Sequence, residues 1–271
     1  MPRFSVDSVK LHYDVAGSGE RHLILVHAYP TSRLMWEPQI AALARHRRVI
    51  ACDVRGFGLS DAPDNAGTYS QERSVADLLA LVDHLGLARV DLCGLSMGGN
   101  IALNFAIAHP QRTATLIVSG TGGGSDDAAA FARTTNAWAD AATHNGIDGF
   151  ADVVMANPIF AEYADRGSAE RARLRRLIVM NSVAGVMHTA RQVLAKRPTI
   201  NSLATRLAQL TVRTLVIIGE RDVACVPPAR VMTDAIPGAR LVAIPETGHF
   251  NNLEAPETLN GLMRDFLLES P

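Results

Sequence analysis

The sequence predicts an α/β fold: a doubly wound, mostly parallel sheet flanked by helices and interrupted by a helical insertion. Three observations predict it. Short β-rich apolar runs, such as Leu23-Ile24-Leu25-Val26, Leu116-Ile117-Val118 and Leu215-Val216-Ile217-Ile218, are continuous rather than alternating, as in strands buried on both faces. Stretches with helical apolar spacing lie between them, the order of elements in βαβ units. The alternation is suspended over residues 123–210, where helical runs follow one another without a convincing strand. The expected division is a core of residues 1–122 and 211–271 with a helical cap of residues 123–210.

Taken in order, residues 9–15 alternate apolar with polar and stop at Gly17-Ser18-Gly19, which suits an opening antiparallel strand. The run 23–26 ends in the loop His27-Ala28-Tyr29-Pro30-Thr31-Ser32. Residues 34–44 show helical spacing, with Trp36, Ile40 and Leu43 on one side. Arg48-Val49-Ile50-Ala51-Cys52 is the next strand, followed by Asp53-Val54-Arg55-Gly56-Phe57-Gly58-Leu59-Ser60. Ser74 is expected to cap the helix that reaches His84 and Leu85 and stops at Gly86. Val90 and Leu92 bring a strand to Gly94-x-Ser96-x-Gly98, and an alanine-rich helical run, 101–108, leaves it. After the strand 115–119 comes the glycine-rich exit Gly120-Thr121-Gly122-Gly123-Gly124-Ser125. The insertion breaks at Asn145-Gly146, Asn157-Pro158, Arg166-Gly167 and Arg197-Pro198. Strands resume at 214–218 and 241–244, with helices over 228–235 and 256–268.

Composition narrows the function classes. The chain of 271 residues is 48% hydrophobic and carries a formal net charge of -1, which disfavours a nucleic-acid or membrane-surface role. No apolar run reaches membrane-spanning length, and residues 1–7 lack the apolar core of a secretory signal, so the cytoplasm is the expected compartment. Cys52, Cys93 and Cys225 are too few and scattered for a disulfide framework or a zinc site. No Gly-x-x-x-x-Gly-Lys and no His-x-x-x-His occur, so no cofactor or metal is expected.

The Gly94-x-Ser96-x-Gly98 spacing suits a strand that turns sharply into a helix and lifts the Ser96 hydroxyl clear of the sheet. Ligand sites of such sheets lie at the carboxyl ends of the strands. Four ends carry useful groups: His27 with Tyr29, Ser96, Asp222 and His249. A serine hydroxyl needs a base to take its proton, and the base needs an orienting carboxylate. Ser96, His249 and Asp222 supply nucleophile, base and acid, in the chain order Ser, Asp, His. Glu220 is the rival acid, closer to its strand and less free to reach across, and Glu246 reads as a solvated loop charge.

In these motifs the chain resembles the α/β-hydrolase fold family from about residue 10 to 268. The likeness rests on the GLSMGG turn, His27-x-x-Pro30, Asp53-x-Arg55-Gly56-x-Gly58-x-Ser60, the strand-Gly-x-x-Asp222 corner and Gly248-His249. It implies an oxyanion hole made by the backbone N–H groups of Met97 and Tyr29, with His27 holding the loop rather than reacting. It departs at Ala28, where relatives usually have glycine. Asp53 and Arg55 are expected to organise their loop. Serine at the nucleophile position argues against haloalkane dehalogenases and epoxide hydrolases, which need a carboxylate there. The motifs resemble those of small esterases and 3-oxoadipate enol-lactonases, which implies a small ester or lactone as substrate and no cofactor. Meta-cleavage C–C hydrolases, cofactor-free haloperoxidases and a receptor-like fold with little turnover are the alternatives. In the insertion, Trp138 and Phe160 are expected to wall an acyl site, with Phe150, Val153, Met155 and Ile159 as further candidates. Arg171, Arg173, Arg175 and Arg176 are expected to form a solvated basic face, with an arginine gripping a substrate carboxylate as the alternative.

Overall fold

Eight strands form one sheet in the computed structural model, which describes residues 2–269. Met1, Ser270 and Pro271, the outermost residues of the two expected core segments, lie outside the described residues. The strands are β1 (Arg3–Val6), β2 (Val9–Ala16), β3 (His22–Val26), β4 (Arg48–Cys52), β5 (Val90–Leu95), β6 (Thr113–Ser119), β7 (Arg213–Gly219) and β8 (Arg240–Ile244). Their spatial order is β1-β2-β4-β3-β5-β6-β7-β8. β1 and β2 run antiparallel, and every pairing from β4 through β8 is parallel. β3 and β5 sit at the centre, where Leu23, Ile24, Leu25, Leu92 and Cys93 are wholly buried, as their continuous apolar runs require. β1 escapes the sequence pattern because only Phe4 of its four residues is buried.

On the faces lie α1 (Glu37–Leu43), α2 (Gln71–His84) and α3 (Met97–Ala108). Between β6 and β7 the chain makes α4 (Ala128–Met155), α5 (Pro158–Ala164), α6 (Ser168–Val179), α7 (Val183–His188) and α8 (Ala204–Leu207), with no strand among the described residues. α4 is broken at Gly146, whose φ of 67° and ψ of -171° are not helical, at the Asn145-Gly146 signal. α7 runs on into a π-helical turn, Thr189–Leu194. The chain then completes α9 (Val226–Ala235), α10 (Asn251–Glu254) and α11 (Pro256–Leu268). No helix among the described residues is long and apolar enough to cross a membrane.

Two local expectations are corrected. The cap of α2 is Ser70, whose Oγ accepts from the Arg73 N–H at 3.0 Å, while Ser74 lies a turn inside the helix. Its first turn, Gln71 to Ser74, is polar, so the apolar period that begins at Val75 starts one turn after the helix does. The helix expected over 34–44 is split into a 3-10 turn, Arg33–Trp36, and α1. Pro38, which has no N–H to give, suits the first turn of α1.

Candidate active site

At the end of β5 the backbone of Ser96 is held at φ 56° and ψ -111°, a region that residues with a Cβ rarely occupy. The strain is held by the surroundings. The Ser96 N–H donates to Ser119 O at 2.8 Å, and Ser96 O accepts from the Asn100 N–H and from Asn100 Nδ2 at 3.0 and 3.1 Å. Both flanking glycines are required by space: a Cβ on Gly94 would stand 2.2 Å from Gly98 O, and one on Gly98 2.1 Å from Val26 O. Strand and helix can therefore close to backbone contact, and Ser96 alone among residues 90–100 keeps some exposure.

β7 and β8 deliver the other two groups. Asp222 lies just past Gly219, its N–H donating back to Gly219 O at 3.0 Å. His249 Nδ1 and Asp222 Oδ2 are 2.8 Å apart, both residues being nearly inaccessible. An ionised Asp222 fixes the proton on Nδ1 and leaves Nε2 free to accept one. Glu220 is exposed and its Oε2 faces the Glu246 N–H at 3.4 Å, so Asp222 is the carboxylate bonded to the imidazole. Ser96 and His249 wall the same cavity without a side-chain hydrogen bond between them in this form, a contact that commonly tightens only with substrate present.

The loop that carries His249 is fastened by a residue the sequence analysis passes over. Glu254 accepts from the Gly248 N–H at 2.6 Å and from the Phe250 N–H at 3.0 Å, clamping the backbone on both sides of His249. Arg166, between α5 and α6, pairs with the buried Glu254 carboxylate at 2.7 Å. Burial raises the Glu254 pKa, against which the two N–H groups and the Arg166 charge act. No local motif signals this clamp, because its partners are brought together only by the fold.

The Sγ of Cys225 completes a trio with Asp222 and His249, whose ligand-type atoms all lie within 4.8 Å of one another. Metal binding would need a thiolate, whereas burial and the Asp222 charge push the Cys225 thiol far up. His249 Nδ1 is also already engaged by Asp222. The trio therefore suits an acid and base pair better than a metal.

The backbone N–H groups of Tyr29 and Met97 have no acceptor among the described residues, Met97 being the first residue of α3. Both residues are buried. Ala28 has an ordinary negative φ, so its methyl is accommodated without strain, and its carbonyl accepts from the Thr31 N–H and the Thr31 hydroxyl. His27 ties this loop to its neighbour: Nδ1 donates to Ala28 O at 2.9 Å, and Nε2 accepts from the Val54 N–H at 3.0 Å. Asp53 accepts from the Arg33 and Leu59 N–H groups, and Arg55 forms a two-pronged pair with Asp77 at 2.7 and 2.8 Å.

Burial pushes the His27 pKa below its ordinary 6.5, and its acceptor role at Nε2 demands the neutral ring. Below pH 6.5 the unfolded chain therefore binds more protons at this residue, and stability falls as the pH drops through that value. Urea unfolding at about pH 7.5 and about pH 5.5 should show a shallower acid loss in His27→Gln, by up to about 1.4 kcal/mol per pH unit. An unchanged slope would assign the acid sensitivity to other groups.

A cavity of about 30 Å³ is walled by Tyr29, Ser96, Trp138, Phe160, Arg197 and His249, with Ile159 among its remaining residues. Trp138 stacks on Tyr29 with centroids 6.0 Å apart, and Phe160 meets Trp138 edge-on at 5.7 Å and His249 at 6.5 Å. Phe150 and Met155 are buried away from this cavity, and Val153 is exposed, because α4 turns its face to solvent there. Arg171 and Arg175 pair with surface acids Asp165, Asp148 and Asp152, and Arg173 lies near Glu37. Arg197, known from the sequence only as half of a Pro-containing break, is the arginine that reaches the cavity.

A family model described as alpha/beta hydrolase fold matches residues 21–256. The 2-hydroxymuconate semialdehyde hydrolase of Pseudomonas putida is 32% identical over 83% of this chain and 78% of its own length. Among solved structures, the enol-lactonase from Burkholderia xenovorans LB400 is 29% identical with a TM-score of 0.84, covering 99% of this chain and 100% of that one. A thermophilic esterase from Thermogutta terrifontis, in its malate-bound form, is also 29% identical, with a TM-score of 0.86 and 98% of each chain covered.

Proposed function

Because the chain belongs to the α/β-hydrolase fold family, we propose that it is a serine hydrolase cleaving a small carboxylic ester or lactone through an acyl-enzyme on Ser96. The observation that carries this reading is the strained Ser96 turn on the wall of the cavity that also holds the Asp222-bonded His249. In this mechanism Ser96 Oγ attacks the acyl carbonyl as His249 Nε2 takes its proton, and Asp222 steadies the imidazolium. The N–H groups of Met97 and Tyr29 receive the developing oxyanion. His249 then protonates the leaving alcohol, and next draws a proton from the water that releases the acid. The chemistry uses no cofactor and no metal, and its partner is a small molecule. Three buried free cysteines suit the reducing cytoplasm as its site of action.

In the same reading residues 123–210 act as a cap that selects the acyl group without supplying chemistry. A space of about 30 Å³ between Trp138, Phe160 and Ser96 favours short acyl chains. The test is a panel of nitrophenyl esters of rising chain length beside a lactone and a 2-hydroxymuconate semialdehyde, the last because of the 32% identical relative. Short esters or the lactone should turn over fastest. Trp138→Ala and Phe160→Ala should each move the optimum to longer chains and change the specificity ratio by roughly tenfold, the worth of a methylene or two in an apolar pocket. If neither substitution alters chain-length preference, the two rings are packing of the cap and the acyl site lies elsewhere. Preferred turnover of the semialdehyde would replace ester hydrolysis by carbon–carbon hydrolysis.

A further inference from the structure

Three buried arginines each meet a carboxylate, and a fourth, the half-buried Arg197, also turns part of its guanidinium inward. Arg33 pairs with Asp53, Arg47 with Asp91 and Arg55 with Asp77, at 2.7 to 2.8 Å. Arg197 is the exception. Its Nη2 donates to Gly123 O at 2.9 Å, and its guanidinium carbon lies 5.0 Å from the centre of the Phe131 ring. Its Nη1 is cut off from solvent and has no hydrogen-bond partner. No acid pairs with it among the described residues, and the adjacent Cys225 is held neutral by burial. An interior cation without an anion is costly, and the cost falls when an anion arrives. Burial pulls the Arg197 pKa down to about 10, which still leaves it charged at neutral pH.

Resting on the hydrolase reading, we infer that Arg197 is an anion-binding subsite beside Ser96, and that the acyl part of the substrate is short and carries a carboxylate. The cavity wall holds Arg197 and Ser96 together, so one small molecule can reach both. Nη1 offers two N–H donors while Gly123 and Phe131 hold the rest of the group in place, and a carboxylate is the small planar anion that matches such donors. The acyl side is assigned by the second cavity, a groove of about 390 Å³ that shares only Ile159 and His249 with the first. Ser96, the residue to be acylated, walls the first cavity and not the second, so the acyl chain lies with Arg197.

The test compares the nitrophenyl half-ester of glutaric acid with the nitrophenyl ester of pentanoic acid, which lacks the carboxylate. The wild type should cleave the half-ester with a kcat/KM at least about tenfold higher, as expected for hydrogen bonds to a buried charge. Arg197→Gln should bring that ratio toward unity, chiefly through KM, and Arg197→Lys should recover part of it. A wild-type ratio at or below unity overturns the proposal. So does an equal loss on both esters in Arg197→Gln, which would make Arg197 only the brace of Gly123. Should Arg197→Gln not fold, the wild-type ratio and Arg197→Lys decide. If neither ester is cleaved, the hydrolase reading falls, and calorimetric titration with glutarate then judges the subsite alone. Glutarate binding that Arg197→Gln abolishes sustains the subsite, and binding that is absent or unchanged overturns it.

Discussion

Ser96→Ala should abolish labelling by a fluorophosphonate and lower ester turnover by about a millionfold, the usual consequence of losing a catalytic serine. The fold should survive the change. The contacts that hold the turn use the backbone N–H and carbonyl of Ser96, bonded to Ser119 and Asn100, and alanine keeps both. Alanine also keeps a Cβ at φ 56°, so it neither relieves nor adds to the backbone strain. Mass spectrometry of the labelled peptide, turnover of a short ester and a melting curve suffice as measurements. Labelling at another residue, with activity surviving in the alanine variant, would sink the assignment of Ser96.

The central parallel strands were legible because they are buried on both faces, which forces continuous apolar runs such as 23–26 and 215–218. The strand-end positions of Ser96 and Asp222 could be read for a related reason, since each closely follows such a run, whereas His249 follows the largely exposed edge strand β8. The turn around Ser96 is local too, since Gly94 and Gly98 meet their obstructing carbonyls within one strand–helix unit and its neighbour β3. What remained hidden depends on long-range meetings. Glu254 clamps the His249 loop with the help of Arg166, which lies 88 residues earlier in the chain (254 minus 166), and neither carries a local motif. Arg197 gives no sign of being left without an acid while Arg171 and Arg175, in a similar setting of alanine and arginine, find theirs on the surface. In the insertion, apolar spacing announces helices but does not say which face meets the cavity: Phe160 does, and Val153 faces water.

Asp222→Asn and Glu220→Gln should separate the two acids near the end of β7 by several orders of magnitude. Asp222 Oδ2 lies 2.8 Å from His249 Nδ1, out of reach of solvent, where a carboxylate both fixes the imidazole tautomer and stabilises its cation. Asparagine has the same shape but can turn its amide toward Nδ1, which moves the ring proton to Nε2 and blocks its action as a base. A loss in kcat of about ten-thousand-fold is the measure of that error in a Ser-His-Asp arrangement. Glu220 stands two positions earlier, exposed, with its carboxylate toward the Glu246 N–H at 3.4 Å and no bond to the imidazole. Glu220→Gln removes one solvated charge, so its kcat should stay within about twofold of the wild type. The two variants are to be compared on one short ester, with melting temperatures taken in parallel so that a folding defect is not mistaken for a catalytic one. A far larger loss for Glu220→Gln than for Asp222→Asn, at unchanged melting temperature, would transfer the orienting role to Glu220. It would also require the loop after β7 to rearrange when substrate binds.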